Sequence, residues 1–144
     1  MGEALAAATR ALARRDYSER GLRERLTRAG VEAAELEETI TELRGVGLID
    51  DERFAGRRAR ALAERGKGNA AISFDLRRQG VDAELIENTL AGLEPERERA
   101  ARIVLRRGAG PKTARLLASR GFDREVVELA AEVAVAHEPS PPLG

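Results

Sequence analysis

Arginine and lysine are the residues of this sequence best suited to binding a ligand, and they are concentrated in one stretch. Residues 97–120 contain eight arginines or lysines and one acid, Glu98. Such cations bind phosphate groups by charge and hydrogen bonding, without reading bases. Acidic residues gather elsewhere, in segments 32–42, 82–87 and 123–132. Although 25 basic and 25 acidic residues cancel over the chain, this separation predicts a basic face on a neutral molecule.

Candidates for enzymatic chemistry are scarce. The one histidine, His137, lies beside a proline-rich stretch, and the chain has no cysteine. A phosphate-binding loop needs a strand before its glycines and a Lys-Ser or Lys-Thr pair after them. The segment Gly66-Lys67-Gly68-Asn69 has neither, so we interpret it as a turn between helices. The sequence therefore predicts no catalytic residue, no metal site and no cofactor.

Composition favours helices. Charged residues make up 35% of the chain and aromatic residues 3%, and the dominant types, Arg, Glu, Ala and Leu, are helix formers. No apolar run approaches the roughly twenty residues that span a bilayer. The N-terminus also lacks the apolar core of a signal peptide. We expect an all-helical, soluble, monomeric protein of the cytoplasm that has no membrane partner.

Three glycines that end helical patterns reveal an internal repeat. When Gly30, Gly80 and Gly121 are placed in register, a leucine coincides four residues earlier in each copy. Apolar residues coincide at one and at six residues later as well. Agreement at several fixed offsets is the signature of a repeat protein. The chain is therefore predicted to contain three copies of one three-helix unit.

The predicted fold class is all-α, with three tandem three-helix, helix-turn-helix-like repeats. A unit of about forty residues is too small to be firmly stable alone, so the units stack. We expect an elongated, gently curved array. The repeats are placed at residues 1–47, 48–93 and 94–136. The remaining residues, 137–144, are predicted to form a disordered proline-rich tail.

The segment from Gly45 to Ala55 is predicted to be a joint between the first two repeats. Glycines stop one helix, and Asp50 or Asp51 caps the next. Leu48, Ile49 and Phe54 are apolar and are expected to be buried together. By fixing the angle between two repeats, these side chains would set the curvature of the array.

The second helix of each repeat and the end of the first helix of the third repeat carry the cations that suit nucleic acid. The third helices are too acidic, because residues such as Glu38 and Glu42 would repel phosphates. The predicted DNA- or filament-binding face therefore consists of nine basic residues: Arg25, Arg28, Arg77, Arg78, Arg106, Arg107, Lys112, Arg115 and Arg120. Contacts of this kind are independent of base sequence and depend steeply on salt.

Phe74 departs from the apolar pattern of its helix. It points away from the stripe formed by Ile72 and Leu76, and its counterparts in the other repeats are polar. One interpretation is that it packs against a neighbouring repeat. The other is that it anchors a protein partner, since exposed aromatic residues are favoured contact sites.

Several stretches of this sequence resemble the RecX family, the bacterial regulators of the RecA recombinase. The most specific of them is the joint, Gly47–Ala55, which reads GLIDDERFA. The others are Leu22–Leu26 with the following Gly30 and Val31, the Gly66–Gly68 turn, and Leu76–Val81. Their order and spacing are similar to those of the family over roughly residues 5–136.

The resemblance implies a regulator that binds the RecA–DNA filament and inhibits its ATPase, coprotease and strand-exchange activities in recombination, DNA repair and the SOS response. It also implies binding of single-stranded or double-stranded DNA without sequence preference, and no catalytic motif. Two alternatives remain open at this point. One is a tandem helix-turn-helix-like DNA-binding regulator that acts without a recombinase, and the other is a helical protein-interaction scaffold.

Overall fold

Helices form all the regular structure of residues 2–129, the part of the chain that the computed structural model describes. The helices are α1 (Gly2–Arg14), α2 (Glu19–Arg28), α3 (Ala33–Gly45), α4 (Asp51–Glu64), α5 (Asn69–Arg78), α6 (Ala83–Ala91), α7 (Glu96–Arg107) and α8 (Pro111–Ser119). A further helix, α9, covers residues 124–129 of the described range. The prediction of an all-α fold is confirmed.

The three turn glycines behave alike. Gly30, Gly80 and Gly121 have φ angles of 91°, 88° and 89°, a left-handed conformation that a Cβ atom disfavours. In each copy the N–H after the glycine donates to the carbonyl of the leucine four residues before it, at 3.1 Å. This is the bond that closes a helix C-terminus in a Schellman motif. The sequence register therefore corresponds to one repeated local structure.

Helix starts also follow from local chemistry. The Ser18 hydroxyl accepts a hydrogen bond from the N–H of Gly21 at 3.0 Å and caps α2. Asp82 caps α6 by accepting from the N–H of Leu85 at 2.9 Å. Pro111 opens α8, where its missing N–H costs nothing.

The chain folds into two compact units. Within the described residues, the first unit comprises 2–58 together with 76–89, and the second comprises 59–75 together with 90–129. The first core contains Leu22, Leu26, Ile40 and Leu43, and the second contains Ala100, Ile103, Val104, Leu117 and Phe122. Because α4 and α5 contribute to both units, the second repeat is not a unit of its own. The repeat boundaries stay predictions.

The joint is only partly buried, which corrects the prediction for Leu48. Ile49 and Phe54 are each 3% exposed, whereas Leu48 is 49% exposed. Gly47, with φ at 77°, reverses the chain here. The Arg53 guanidinium donates to the carbonyl oxygens of Gly47 at 2.9 Å and Leu48 at 3.4 Å. These two hydrogen bonds hold the backbone so that the Leu48 side chain faces outward.

The two aspartates of the joint have different tasks. Asp50 caps α4, since its carboxylate accepts from the N–H of Arg53 at 3.1 Å. Asp51 instead accepts from the N–H of Glu19, the first residue of α2, at 2.8 Å. Asp51 therefore ties the start of α4 to the start of α2.

The predicted tail, 137–144, which begins at His137, lies outside the described residues. The described residues also end at 129, before the predicted end of the third repeat at residue 136. Its closure, and with it the shape of the array, stays a prediction.

Candidate nucleic-acid interface

Four arginines line a groove of about 390 Å³ in the second unit. Arg65 lies just after α4, Arg106 and Arg107 lie in the last turn of α7, and Arg120 follows α8. Glu64 also lines the groove, as do Gly66 and Ile103. We call this feature the arginine groove. It combines four cations with one acid in a concave surface, which suits a multiply charged anion.

The turn after α4 is shaped to admit Arg120. Gly66 has a φ of 83°, and a Cβ atom built on it would lie 2.8 Å from Nη1 of Arg120. A side chain at this position would displace the guanidinium, and the positive φ itself favours glycine. The backbone of Arg120 is fixed as well, since its carbonyl accepts from the N–H of Gly68 at 2.8 Å.

Several arginines outside the groove already form ion pairs with glutamates. Arg23 forms ion pairs with Glu19 and Glu37, and Arg44 pairs with Glu19. The hydrogen bond that the Arg23 guanidinium donates to the Glu37 carboxylate raises the pKa of Arg23 and lowers that of Glu37. Arg102 pairs with Glu94. Across residues 2–129, by contrast, no ion pair engages the four guanidinium groups of the arginine groove.

Arg99 lies in the basic stretch of the sequence but not on its surface. It is 7% exposed, and its guanidinium donates to the carbonyls of Glu94 and Lys67, each at 2.9 Å, and to the Asn69 side chain. It also lies 5.9 Å from the centre of the Phe122 ring. Burial lowers its pKa. Arg99 therefore holds the surrounding backbone in place and does not contribute to a basic surface.

The structure brings together three of the nine predicted basic residues, namely Arg106, Arg107 and Arg120. The other six are exposed but lie outside the groove. Lys112 and Arg115 are on α8, whereas Arg25, Arg28, Arg77 and Arg78 belong to the first unit. A role for any of the nine in binding stays a prediction. Sequence reasoning missed Arg65, although its place beside the Gly66 turn was a usable signal.

Phe74 is 61% exposed on α5. Both interpretations of this ring, packing against a neighbouring repeat and contact with a protein partner, stay predictions.

No group of three or more histidine, aspartate or glutamate residues within 2–129 is arranged to hold a metal ion. Over the same range, no helix is both long enough and apolar enough to cross a membrane.

Comparison with protein families gives two adjacent matches. Residues 4–43 match the domain described as "RecX, first three-helix domain", and residues 50–90 match "RecX, second three-helix domain". These ranges contain α1–α3 and α4–α6 almost entirely. Together they cover more than half of the chain.

Individual relatives and a solved structure agree with the match to the two RecX domains. The regulatory protein RecX of Halorhodospira halophila is 34% identical over 96% of this chain and 92% of its own length. That of Chromohalobacter salexigens is 37% identical over 83% of this chain and 85% of its own. The crystal structure of RecX from Lactobacillus salivarius has a TM-score of 0.82, covers 94% of this chain and 96% of its own, and is 18% identical, which supports the fold. The chain therefore belongs to the RecX family of regulatory proteins.

Proposed function

We propose that this protein binds the RecA–DNA filament in the cytoplasm and inhibits ATP hydrolysis, coprotease activity and strand exchange by the recombinase. The observation that carries the proposal is the match to both RecX domains across α1–α6. The relatives are named regulatory proteins, and the protein is proposed to act by binding, without a reaction of its own.

The arginine groove supports a contact with the DNA of that filament. Its guanidinium groups can donate paired hydrogen bonds to phosphate oxygens. None of the described residues that line it is aromatic and could stack on bases, so the proposed contact is with the backbone and is independent of sequence. We assign the groove to phosphate binding on single-stranded or double-stranded DNA.

The test uses RecA filaments assembled on single-stranded DNA. Adding the purified protein should lower the rates of ATP hydrolysis and strand exchange, and the double variant Arg106→Ala/Arg107→Ala should inhibit less. A matched control is Arg14→Ala/Arg57→Ala, which removes two exposed charges from the first unit. The control should inhibit as the unchanged protein does.

Two results would overturn the proposal. If both rates are unaffected while one duplex sequence is bound selectively, the protein is a DNA-binding regulator that acts without a recombinase. If it binds neither filament nor DNA, it is a scaffold for other proteins.

A further inference from the structure

The second helices of neighbouring repeats meet in a defined way. At the start of α2, the Ser18 hydroxyl donates to the carbonyl of Gln79, and the Arg20 guanidinium donates to the carbonyl of Arg78. Both acceptors belong to the end of α5, the second helix of the next repeat. A Cβ atom on Gly80 would lie 2.6 Å from Nε of Arg20. The helix start therefore covers the next turn glycine.

The following pair of second helices uses the same arrangement. The N–H of Gly68, just before α5, donates to the carbonyl of Arg120 at 2.8 Å, and the N–H of Ala70 donates to that of Gly121 at 3.1 Å. A Cβ atom on Gly121 would lie 2.6 Å from Ala71. In both junctions, the residue before a second helix donates to the carbonyl just before the next turn glycine.

Among the described residues, none covers the turn of the first repeat in this way. Ala29 and Gly30 are exposed, and a Cβ atom on Gly30 would meet no described atom within 4 Å. A groove of about 440 Å³ lies beside this turn, lined by Val31 and by small residues of α1 such as Ala6 and Ala7. The first unit thus presents, uncovered, the same surface that is covered at Gly80 and Gly121.

The start of α8 is the complementary end. Gly110 directly precedes this helix, as Ser18 precedes α2 and Gly68 precedes α5. Lys112 is its second residue, the place that Arg20 has in α2. Gly110 and Lys112 are exposed, and among the described residues no carbonyl accepts a hydrogen bond from either N–H. This end has the donors but no acceptor.

We propose that the start of α8 in one copy of this chain docks on the end of α2 in a second copy. The N–H of Gly110 donates to the carbonyl of Ala29, and the Lys112 ammonium group reaches the carbonyl of Arg28 at the negative end of α2. We infer that the partner is a second copy from the two internal junctions. There, the turns at Gly80 and Gly121 are each covered by the start of a second helix of this same chain.

Such a contact joins two different surfaces, so it is heterologous and leaves one copy of each surface able to bind a further molecule. It involves one turn and one helix start, fewer residues than a stable dimer interface contains. We therefore expect monomers in dilute solution and oligomers at high local concentration. This inference goes beyond the proposed function and does not depend on it.

The absence of cysteine allows a direct test by disulfide crosslinking. The double variant Ala29→Cys/Ala109→Cys places one thiol beside each end of the proposed contact, within the range that a disulfide spans. On mild oxidation at about 100 µM, a concentration suited to weak association, it should give a ladder of reducible oligomers. In the control Ala29→Cys/Ala118→Cys, the second thiol lies on an exposed part of α8 away from the contact. A ladder no stronger than that of the control would overturn the proposal.

A mixing experiment tests the direction of the contact. Lys112→Glu alters only the α8 end, and Ala29→Trp alters only the α2 end. In sedimentation velocity each variant alone should remain monomeric at concentrations where the unchanged protein associates. A mixture of the two retains one intact contact and should form dimers but no larger species. Both variants should keep the unfolding midpoint of the unchanged protein, since both positions are exposed. Association of either variant alone, or no association in the mixture, would contradict the head-to-tail contact.

Discussion

Arginine side chains serve three purposes in this molecule, and their partners distinguish them. Arg99 is buried among main-chain carbonyls, and Arg53 holds the carbonyls of the joint in a similar way. Arg23 and Arg44 neutralise glutamates. The arginines of the groove keep their donors available to a ligand. A sequence assigns the same charge to all of them, so only the folded surroundings reveal which ones can bind.

Replacing Arg99 by methionine should destabilise the protein. The change keeps most of the buried volume but leaves the carbonyls of Glu94 and Lys67 without their donor. We expect a loss of about 2–4 kcal/mol in the free energy of unfolding, measured by urea denaturation. Arg97→Met, at an exposed position on the same helix, is the control and should change it by less than about 0.5 kcal/mol. Similar losses of unfolding free energy in both variants would contradict a stabilising role for the hydrogen bonds of Arg99.

Thr39 carries a fully buried hydroxyl that has no hydrogen-bond partner among the described residues. Thr39→Val replaces this hydroxyl by a methyl group of similar size and should raise the free energy of unfolding by about 1 kcal/mol. Thr89 is a suitable comparison, because its hydroxyl donates to the Leu85 carbonyl at 2.7 Å. Thr89→Val should give no such gain in thermal or urea denaturation. Equal effects at both positions would argue against an unsatisfied hydroxyl.

Asp51 should make the free energy of unfolding depend on pH in the acidic range. Burial raises its pKa above the ordinary 3.8, the Glu19 N–H opposes this, and the charges of Glu19, Asp50 and Asp82 add to the rise. The folded state therefore holds the proton more tightly than the unfolded state. This favourable contribution is complete below pH 3.8 and is lost as the pH rises through the folded pKa. Asp51→Asn should lack this loss, so its stability relative to the unchanged protein should increase over that interval. Urea midpoints at a series of pH values would measure it, and a constant difference would contradict it.

Helices and their ends could be predicted because their signals are local. Turn glycines, the Ser18 and Asp82 caps and the apolar spacing each act within a few residues. The features that sequence reasoning missed depend on distant partners. Arg99 meets Lys67 and Asn69 only after folding, and Leu48 faces outward because Arg53 holds its backbone. For the same reason the basic stretch predicted three arginines of the groove but not Arg65, which follows α4 and lies more than thirty residues earlier in the chain.

The turn before α5 tolerates no side chain. A Cβ atom on Gly68 would lie 2.5 Å from the backbone of Gly121 and Phe122. Gly68→Ala should therefore separate two turns and lower the free energy of unfolding by about 2–4 kcal/mol. Gly45→Ala is the matched control. A Cβ atom there meets no described atom within 4 Å, so stability should stay unchanged or rise by less than about 1 kcal/mol. Denaturant titrations of both variants decide the matter, and equal stabilities would refute the close approach.

At the scale of the whole molecule, zero net charge conceals strong local charge. The third helix is rich in exposed glutamates, including Glu38 and Glu42, and it belongs to the first unit. The arginine groove belongs to the second unit. A neutral chain gains little general attraction to DNA, so the affinity for DNA should depend on this one surface.

Salt dependence should reveal that surface. Each phosphate contact on single-stranded DNA contributes roughly 0.7 to the slope of log affinity against log salt. Arg106→Ala/Arg107→Ala should therefore reduce the slope by roughly 1.4. Fluorescence anisotropy with a labelled oligonucleotide across a salt series measures this change. The control Arg14→Ala/Arg57→Ala should leave the slope unchanged. An equal reduction in both double variants would show that the slope depends on the total charge and not on the position of the arginines.

The junctions between second helices have a consequence for how genes of this kind change in length. In both junctions the acceptor is a main-chain carbonyl, which every residue supplies, and the turn must only keep its glycine. An extra repeat inserted by duplication would therefore find its hydrogen-bond partner without compensating substitutions. The turn glycines are separated by 50 residues (80 − 30) and by 41 residues (121 − 80). Insertions and deletions of whole segments of this size should be tolerated far better than those of half a segment.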